Sequence, residues 1–455
     1  MRVFFASAEV APLSKVGGLA DVAGSLPKAL VQKGHDVRII TPRHDEGVPA
    51  GFRQVRTLDL ASAGYRGKAT IWEGLLSGNV ITYLVEEDTL FGPGRNIYGR
   101  EDDLVRYLFF SKAVLETCKA VGWQPDVIHC NDWHTAAIPF GLRNKAWGDP
   151  YYRPTSSVMT IHNLRYRGPD ELSDQLMQGI FYADVVSTVS KTYAKEILTE
   201  EYGEGLKDLL KLREPDLYGI INGLDYDEFN PATDHALAAN YSASDLDKRT
   251  SNKIALQARM NLPHNPDVPL IAMVSRLTEQ KGLDLMEQVL ERKLRDSNFQ
   301  LAILGTGEER YHEFVQRLSG SYSEQVSVSL AFNADLAQLI YGGSDIFLMP
   351  SRYEPCGLGQ LISMRYGSVP LVRATGGLAD TVIDSSDDLT TGTGFVFKEY
   401  TGEALSGTID RALKAYSNRD GWRNLMSRGM AMDFSWGASA AQYESLYQTA
   451  RKKRT

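Results

Sequence analysis

The sequence predicts an α/β protein made of two Rossmann-like domains facing each other across a cleft. Three observations carry this. Short apolar runs of strand length alternate with helical stretches along most of the chain. The alternation lapses at 229–249 and then restarts, which predicts one linker between two halves. Gly17-Gly18-Leu19-Ala20-Asp21-Val22 also returns as Gly376-Gly377-Leu378-Ala379-Asp380-Thr381-Val382, each copy opening a helix after a strand. Glycine amides at a helix start form a site for phosphate, so the echo points to a shared phosphate-turn design.

At 455 residues the chain is long enough for two or three domains. With 43% hydrophobic and 23% charged residues it has the composition of a globular enzyme. Its net charge of −8 disfavours nucleic acid and anionic membrane surfaces as partners. Cys118, Cys130 and Cys356 make no even disulfide framework and no Cys-x-x-Cys pair, which fits a reducing cytoplasm. The N-terminal run is too short for a signal peptide, and no run reaches the roughly 20 residues of a membrane span. The expectation is a cytoplasmic protein.

In chain order, 2–8 reads as a strand and 9–18 as a glycine-bearing loop. A helix comes next at 19–33, stopped by Gly34, and then a strand at 36–41. Strands are expected at 80–85, 126–130, 157–161, 184–189 and 218–221, with a helix at 102–121. The second half offers strands at 269–275, 299–304, 326–330, 346–349 and 369–372, and 402 onward is mostly helical. Polar residues fall repeatedly just after strand ends, the edge where open α/β sheets bind ligands.

Several of these residues could carry chemistry. Lys15 suits a phosphate as a point charge, or is a solvated lysine beside a turn whose glycines supply φ > 0. Arg276 and Lys281 lie just past a strand end and could hold a diphosphate, each such pair at 4 Å being worth about 4 kcal/mol at an effective dielectric of 20. They also fit ordinary solvated charge. Glu354, ahead of a helix expected over 357–366, fits a helix cap or an acceptor for substrate hydroxyls. Cys356 fits small-residue packing or a thiol activated at a helix start. His134 after Trp133 reads as packing, and His162 with Asn163 is better placed for a ligand. No spacing matches a zinc pattern or a compact Asp-x-Asp, so no metal and no cofactor are expected.

Together the motifs resemble bacterial glycogen synthases and plant starch synthases. Lys15-Val16-Gly17-Gly18-Leu19-Ala20-Asp21-Val22 is similar to their nucleotide-sugar loop. The likeness continues in family order through Asn131-Asp132-Trp133-His134, Thr160-Ile161-His162-Asn163-Leu164, Asn222-Gly223-Leu224-Asp225 and Ser275-Arg276-Leu277-Thr278. It goes on in Gln280-Lys281-Gly282, Pro350-Ser351-Arg352-Tyr353-Glu354-Pro355-Cys356-Gly357-Leu358, Arg373-Ala374-Thr375-Gly376-Gly377 and Phe434-Ser435-Trp436.

The resemblance implies a GT-B fold with domains 1–235 on the glucan side and 236–430 for the nucleotide sugar. A C-terminal helix, 431–455, crosses back to the first. It implies a retaining glucosyltransferase that moves glucose from ADP-glucose to the non-reducing end of an α-1,4-glucan without a metal. UDP-glucose use and a non-catalytic glucan-binding relative are the alternatives. The catalytic set it implies is Glu354, His162, Arg276 and Lys281. The substrate-binding set is Lys15, Gly17, Gly18, Asp21, Asp132, Asn222, Cys356, Gly357, Leu358, Thr375, Gly376 and Gly377. In that setting Glu354 reads as a glucose-binding acid and Cys356 as a backbone contact. The chain departs from the family in a short 165–182 connection, in Gly359 for Ser or Thr, in Ile362 where related transferases carry a second Glu, and in Phe229 for Trp.

Overall fold

The computed structural model describes residues 1–45, 47–144, 149–168 and 174–454. The described chain divides into two compact units, Met1–Gly223 with Ser435–Thr455, and Leu224–Phe434.

The first unit is a nine-stranded sheet among the described residues. Its strands are β1 (Arg2–Ala6), β2 (Asp36–Pro42), β3 (Arg53–Ser62), β4 (Tyr65–Leu76), β5 (Val80–Glu86), β6 (Val127–Asn131), β7 (Ser156–Ile161), β8 (Val185–Thr188) and β9 (Leu217–Gly219). They lie in the order β3-β4-β5-β2-β1-β6-β7-β8-β9. All pairs are parallel except β3–β4 and β4–β5. Parallel strands are covered on both faces, which is why β6 and β7 are buried throughout. The sheet order turns round between β1 and β6, and that is where an open sheet leaves a crevice at its carboxyl edge.

The β3–β4 hairpin was not among the expected strands. It is an antiparallel edge with much of β3 exposed, so it lacks the apolar run that marks a buried strand. Its turn at Ala63-Gly64 takes positive φ at both residues (50° and 78°), the geometry of a two-residue hairpin, but without the usual Asn-Gly signal.

The second unit is a six-stranded parallel sheet: β10 (Leu270–Val274), β11 (Gln300–Leu304), β12 (Val326–Ser329), β13 (Ile346–Met349), β14 (Val369–Arg373) and β15 (Phe395–Phe397). The order is β12-β11-β10-β13-β14-β15, with the reversal between β10 and β13.

The stretch 229–249 is not a free linker. Tyr366 Oη donates to Asp234 Oδ2 (2.6 Å), Tyr241 Oη donates to Tyr366 O (2.6 Å), and Ala239 N donates to Asn252 Oδ1 (2.9 Å). Polar and aromatic side chains tie it into the second unit without any apolar period. The units therefore divide at Gly223/Leu224 and Phe434/Ser435, not at 235/236 and 430/431.

The C-terminal helix, Trp436–Lys452, belongs to the first unit. Trp436, Ala440, Tyr443, Leu446, Tyr447 and Ala450 join a core with Val3, Phe5, Val22 and Leu26. His129 links it to the sheet: Nδ1 meets Tyr447 Oη (2.7 Å) and Nε2 meets Thr160 Oγ1 (2.6 Å), which meets Ser187 Oγ (2.6 Å). No helix among the described residues is long and apolar enough to cross a membrane.

Candidate active site

In the first unit the site is built from the segments just past the carboxyl ends of β1, β6 and β7. The loop after β1 rises over Glu9, which is 2% exposed. The Glu9 carboxylate accepts from Val16 N–H and from Gly17 N–H (3.2 Å). Burial raises its pKa, against the two backbone bonds that lower it. Lys15 stands outside this arrangement, its exposed Nζ 2.6 Å from Oδ1 of half-buried Asp21.

The two glycines of this loop are not explained by backbone strain. Gly17 is extended at φ −142°, and Gly18, which opens the helix Gly18–Gln32, has no positive φ. A Cβ at Gly18 would meet nothing within 4 Å. The reading in which this turn needs glycine for φ > 0 does not hold, and the space where a Gly18 side chain would stand is open.

β6 ends in Asn131, followed by Asp132, and β7 is followed by His162. Asn131 Nδ2 donates to Ala6 O (3.0 Å) and its Oδ1 lies 2.9 Å from His162 Nε2. Asp132 has φ 54° and ψ −177°, a conformation that only glycine takes without strain. Its Oδ1 accepts from His162 N–H (2.8 Å). Burial pushes the Asp132 carboxyl up to about 7, although backbone bonds from His162 and Asn163 oppose it. Burial also holds His162 neutral, with a pKa lowered to about 4. His134 packs in the core against Trp133, Tyr98 and Tyr107. Asn222 is 7% exposed, and its Oδ1 is buried without a partner among the described residues. Gly223 is required by packing, since a Cβ would sit 2.5 Å from Trp436 Cα. This ties two motifs that lie far apart in sequence. The 165–182 connection includes 169–173, which lie outside the described residues.

In the second unit the site is built from the turns after β10, β13 and β14. Lys281 ends a short turn, Glu279–Lys281, after β10. Its Nζ lies 2.6 Å from Glu354 Oε2, with side chains 17% and 9% exposed. Ser351 Oγ donates to the same oxygen (3.2 Å). Arg276 remains exposed, its guanidinium donating to Gln280 Oε1 (3.2 Å). Glu354 is not a helix cap: the helix Gly359–Arg365 starts at Leu358 with no side-chain cap, and the carboxylate points to Lys281 instead.

The turn after β14 is pressed against the turn after β13. Gly377 N donates to Glu354 O (3.1 Å). A Cβ at Gly376 (φ 42°) would lie 2.0 Å from Glu354 O, and one at Gly377 1.9 Å from Cys356 O. Here, unlike at Gly18, the fold itself demands glycine. Thr375, at the N-cap, is 1% exposed. Buried Gln360 donates to Cys356 O (3.1 Å) and Gly357 O (3.0 Å), which fixes the 356–358 backbone. Gly359 is explained by Phe347, whose Cε1 would be 2.9 Å from a Cβ there.

The structure thus brings Lys281, Glu354, Cys356 and Gly376–Gly377 together in one unit, and Asp132 with His162 in the other. Two residues escaped the sequence reading. Glu9 carried only the weak signal of an acid just after a buried strand. Phe332, 94% exposed between β12 and the Asn333 cap of the next helix, carried none. Among the described residues no three His, Cys, Asp or Glu side chains are grouped to hold a metal ion.

Residues 2–212 match the family described as starch synthase catalytic domain, and 257–425 match glycosyl transferases group 1. The chain is 47% identical to a glycogen synthase of Moorella thermoacetica over 480 residues, covering 100% of this chain and 98% of that one. It is 42% identical to a glycogen synthase of Thermotoga maritima, covering 100% and 99%. The catalytic domain of starch synthase IV from Arabidopsis thaliana, bound to ADP and acarbose, superimposes with a TM-score of 0.87 at 33% identity, covering 99% of each chain. A sucrose-phosphate synthase from Thermosynechococcus elongatus shares the fold (TM-score 0.64, 19% identity, 98% of each chain). With two parallel α/β units of the GT-B type and these relatives along its full length, the chain belongs to the glycogen and starch synthase family of glycosyltransferases.

Proposed function

We propose that the protein transfers glucose from ADP-glucose to the non-reducing end of an α-1,4-glucan, with retention of configuration and without a metal ion. The observation that carries this is the buried Lys281–Glu354 pair at the carboxyl edge of the second sheet, beside exposed Arg276. Two cations there neutralise the departing diphosphate, electrostatic stabilisation of a developing charge by groups already in place. One Glu354 oxygen is held by Lys281 and Ser351, so the other is left for glucose hydroxyls. ADP as the nucleotide is supported by the ADP-bound starch synthase relative. Phe332 offers an aromatic face on which a base can stack.

Lys15, the Gly18 amide, Thr375 and the Gly376–Gly377 turn assist the phosphates. The Gly17 amide serves this indirectly, because Glu9 already holds it. Asp21 keeps Lys15 in place until an anion arrives. His162 faces the glucose, and Asp132 secures the His162 backbone. Asn222 supplies an acceptor oxygen, and Cys356, Gly357 and Leu358 supply backbone groups.

The test feeds labelled ADP-glucose and, separately, UDP-glucose to the purified protein with glycogen and EDTA. Incorporation from ADP-glucose is expected, undiminished by the chelator. Incorporation from UDP-glucose alone overturns the donor, and none from either overturns the reaction. Lys281→Ala is expected to lower kcat by about a hundredfold, with glucan binding retained. An unchanged kcat removes Lys281 from the leaving-group role.

A further inference from the structure

Asn131, the last residue of β6, is fully buried. Its Nδ2 donates to Ala6 O at the end of β1 (3.0 Å). A backbone carbonyl only accepts, so this bond fixes which end of the amide is nitrogen. The other end, Oδ1, faces His162 Nε2 at 2.9 Å. An amide oxygen also only accepts, so Nε2 must carry the ring hydrogen. In a neutral imidazole Nδ1 is then a bare acceptor. Burial keeps the ring neutral. Among the described residues Nδ1 has no hydrogen-bond partner, and the His162 backbone is held separately by Asp132.

We propose that Asn131 is a positioning residue that locks His162 in the Nε2–H tautomer, so that Nδ1 presents a lone pair to a substrate hydroxyl. The chemistry is selective. Such a nitrogen accepts from a sugar O–H and tolerates positive charge developing nearby, but it repels a phosphate oxygen and has no proton to give as an acid. The identity of the ligand rests on the sugar-transfer reading above. The tautomer does not, because it depends on two bonds inside the first unit.

The experiment is a long-range ¹H–¹⁵N correlation on the full-length, ligand-free protein labelled in its histidine rings, at about pH 7.5, where an ordinary histidine is mostly neutral. The His162 signals are identified by their loss in His162→Gln. A pyrrole-type Nε2 and a pyridine-type Nδ1 are expected. A protonated Nδ1, or shifts averaged between tautomers, overturns the proposal, and this wild-type measurement decides it even where variants fold poorly. In Asn131→Ala the two shifts are expected to average. Its kcat should fall about tenfold with donor KM changed by less than about twofold. Wild-type shifts and wild-type kcat in that variant overturn the positioning role. A protein with the expected ring signature that transfers no glucose supports the tautomer and counts against the proposed function.

Discussion

At the scale of single residues, two glycine pairs of near-identical sequence do different work. Gly377 lies where a Cβ would be 1.9 Å from a carbonyl oxygen, whereas a Cβ at Gly18 would touch nothing. Gly377→Ala is therefore expected to cost about 1–3 kcal/mol in thermal or denaturant unfolding. Gly18→Ala is expected to leave stability unchanged or slightly raised, and to raise donor KM about tenfold. An unchanged KM in Gly18→Ala would remove that amide from the donor site.

Asp132 makes a second residue-scale case. Its carboxyl titrates near 7, and its protonation weakens the bond that holds the His162 amide. kcat is expected to fall on the acid side with an apparent pKa of about 7. Asp132→Asn should show a lower, flat rate over that range. A limb that survives in the variant assigns it to another group. Lys281 and Glu354 were each legible as charged residues near strand ends. Their contact was not, because 73 positions separate them in the chain.

At the scale of elements, the C-terminal helix carries a buried polar contact inside an apolar face. Tyr447 Oη meets His129 Nδ1 where both are buried. Tyr447→Phe leaves a ring nitrogen unpaired and is expected to cost about 1–3 kcal/mol, read as a lower urea midpoint at unchanged m-value. A loss under about 0.5 kcal/mol would mean that water or a rotated ring replaces the bond. The alternating strands and helices were readable because a parallel sheet makes each strand a continuous apolar run. The β3–β4 hairpin and the 229–249 segment were not. One is a half-solvated edge, and the other is held by Asp234, Tyr241 and Asn252 rather than by apolar spacing.

At the scale of the whole molecule, acid sensitivity is uneven. Burial lowers His44 to about 4, His129 to about 3 and His162 to about 4, and all three lie in the first unit. The unfolded chain takes up protons from 6.5 downward while the native fold refuses them. Their contribution is thus complete above 6.5 and is lost as pH falls toward 3–4. Each loses about 2 kcal/mol of that contribution between pH 7 and pH 5. Asp132 acts in the opposite direction, binding its proton more tightly when folded, by about 2 kcal/mol between pH 7 and pH 5. The histidines outweigh it. On acidification from pH 7 to pH 5, amides of the first unit should lose hydrogen-exchange protection before those of the second. Equal loss in both units would contradict this.

The sequence by itself determined the two α/β halves, the family, and the placement of cations and glycines just after strand ends. These depend on local apolar period and on motifs a few residues long. Only the tertiary structure decided which groups are used and how. It paired Glu354 with Lys281 instead of a helix end, and set Glu9 beneath the first glycine loop. It also left space beside Gly18 while closing Gly377 against a carbonyl, and turned Asn131 so that its Oδ1 faces the His162 ring. The physical reason is the same in each case. Hydrogen-bond partner, burial and steric clearance are properties of atoms brought together across the sheet, and no neighbouring residue in the chain encodes them.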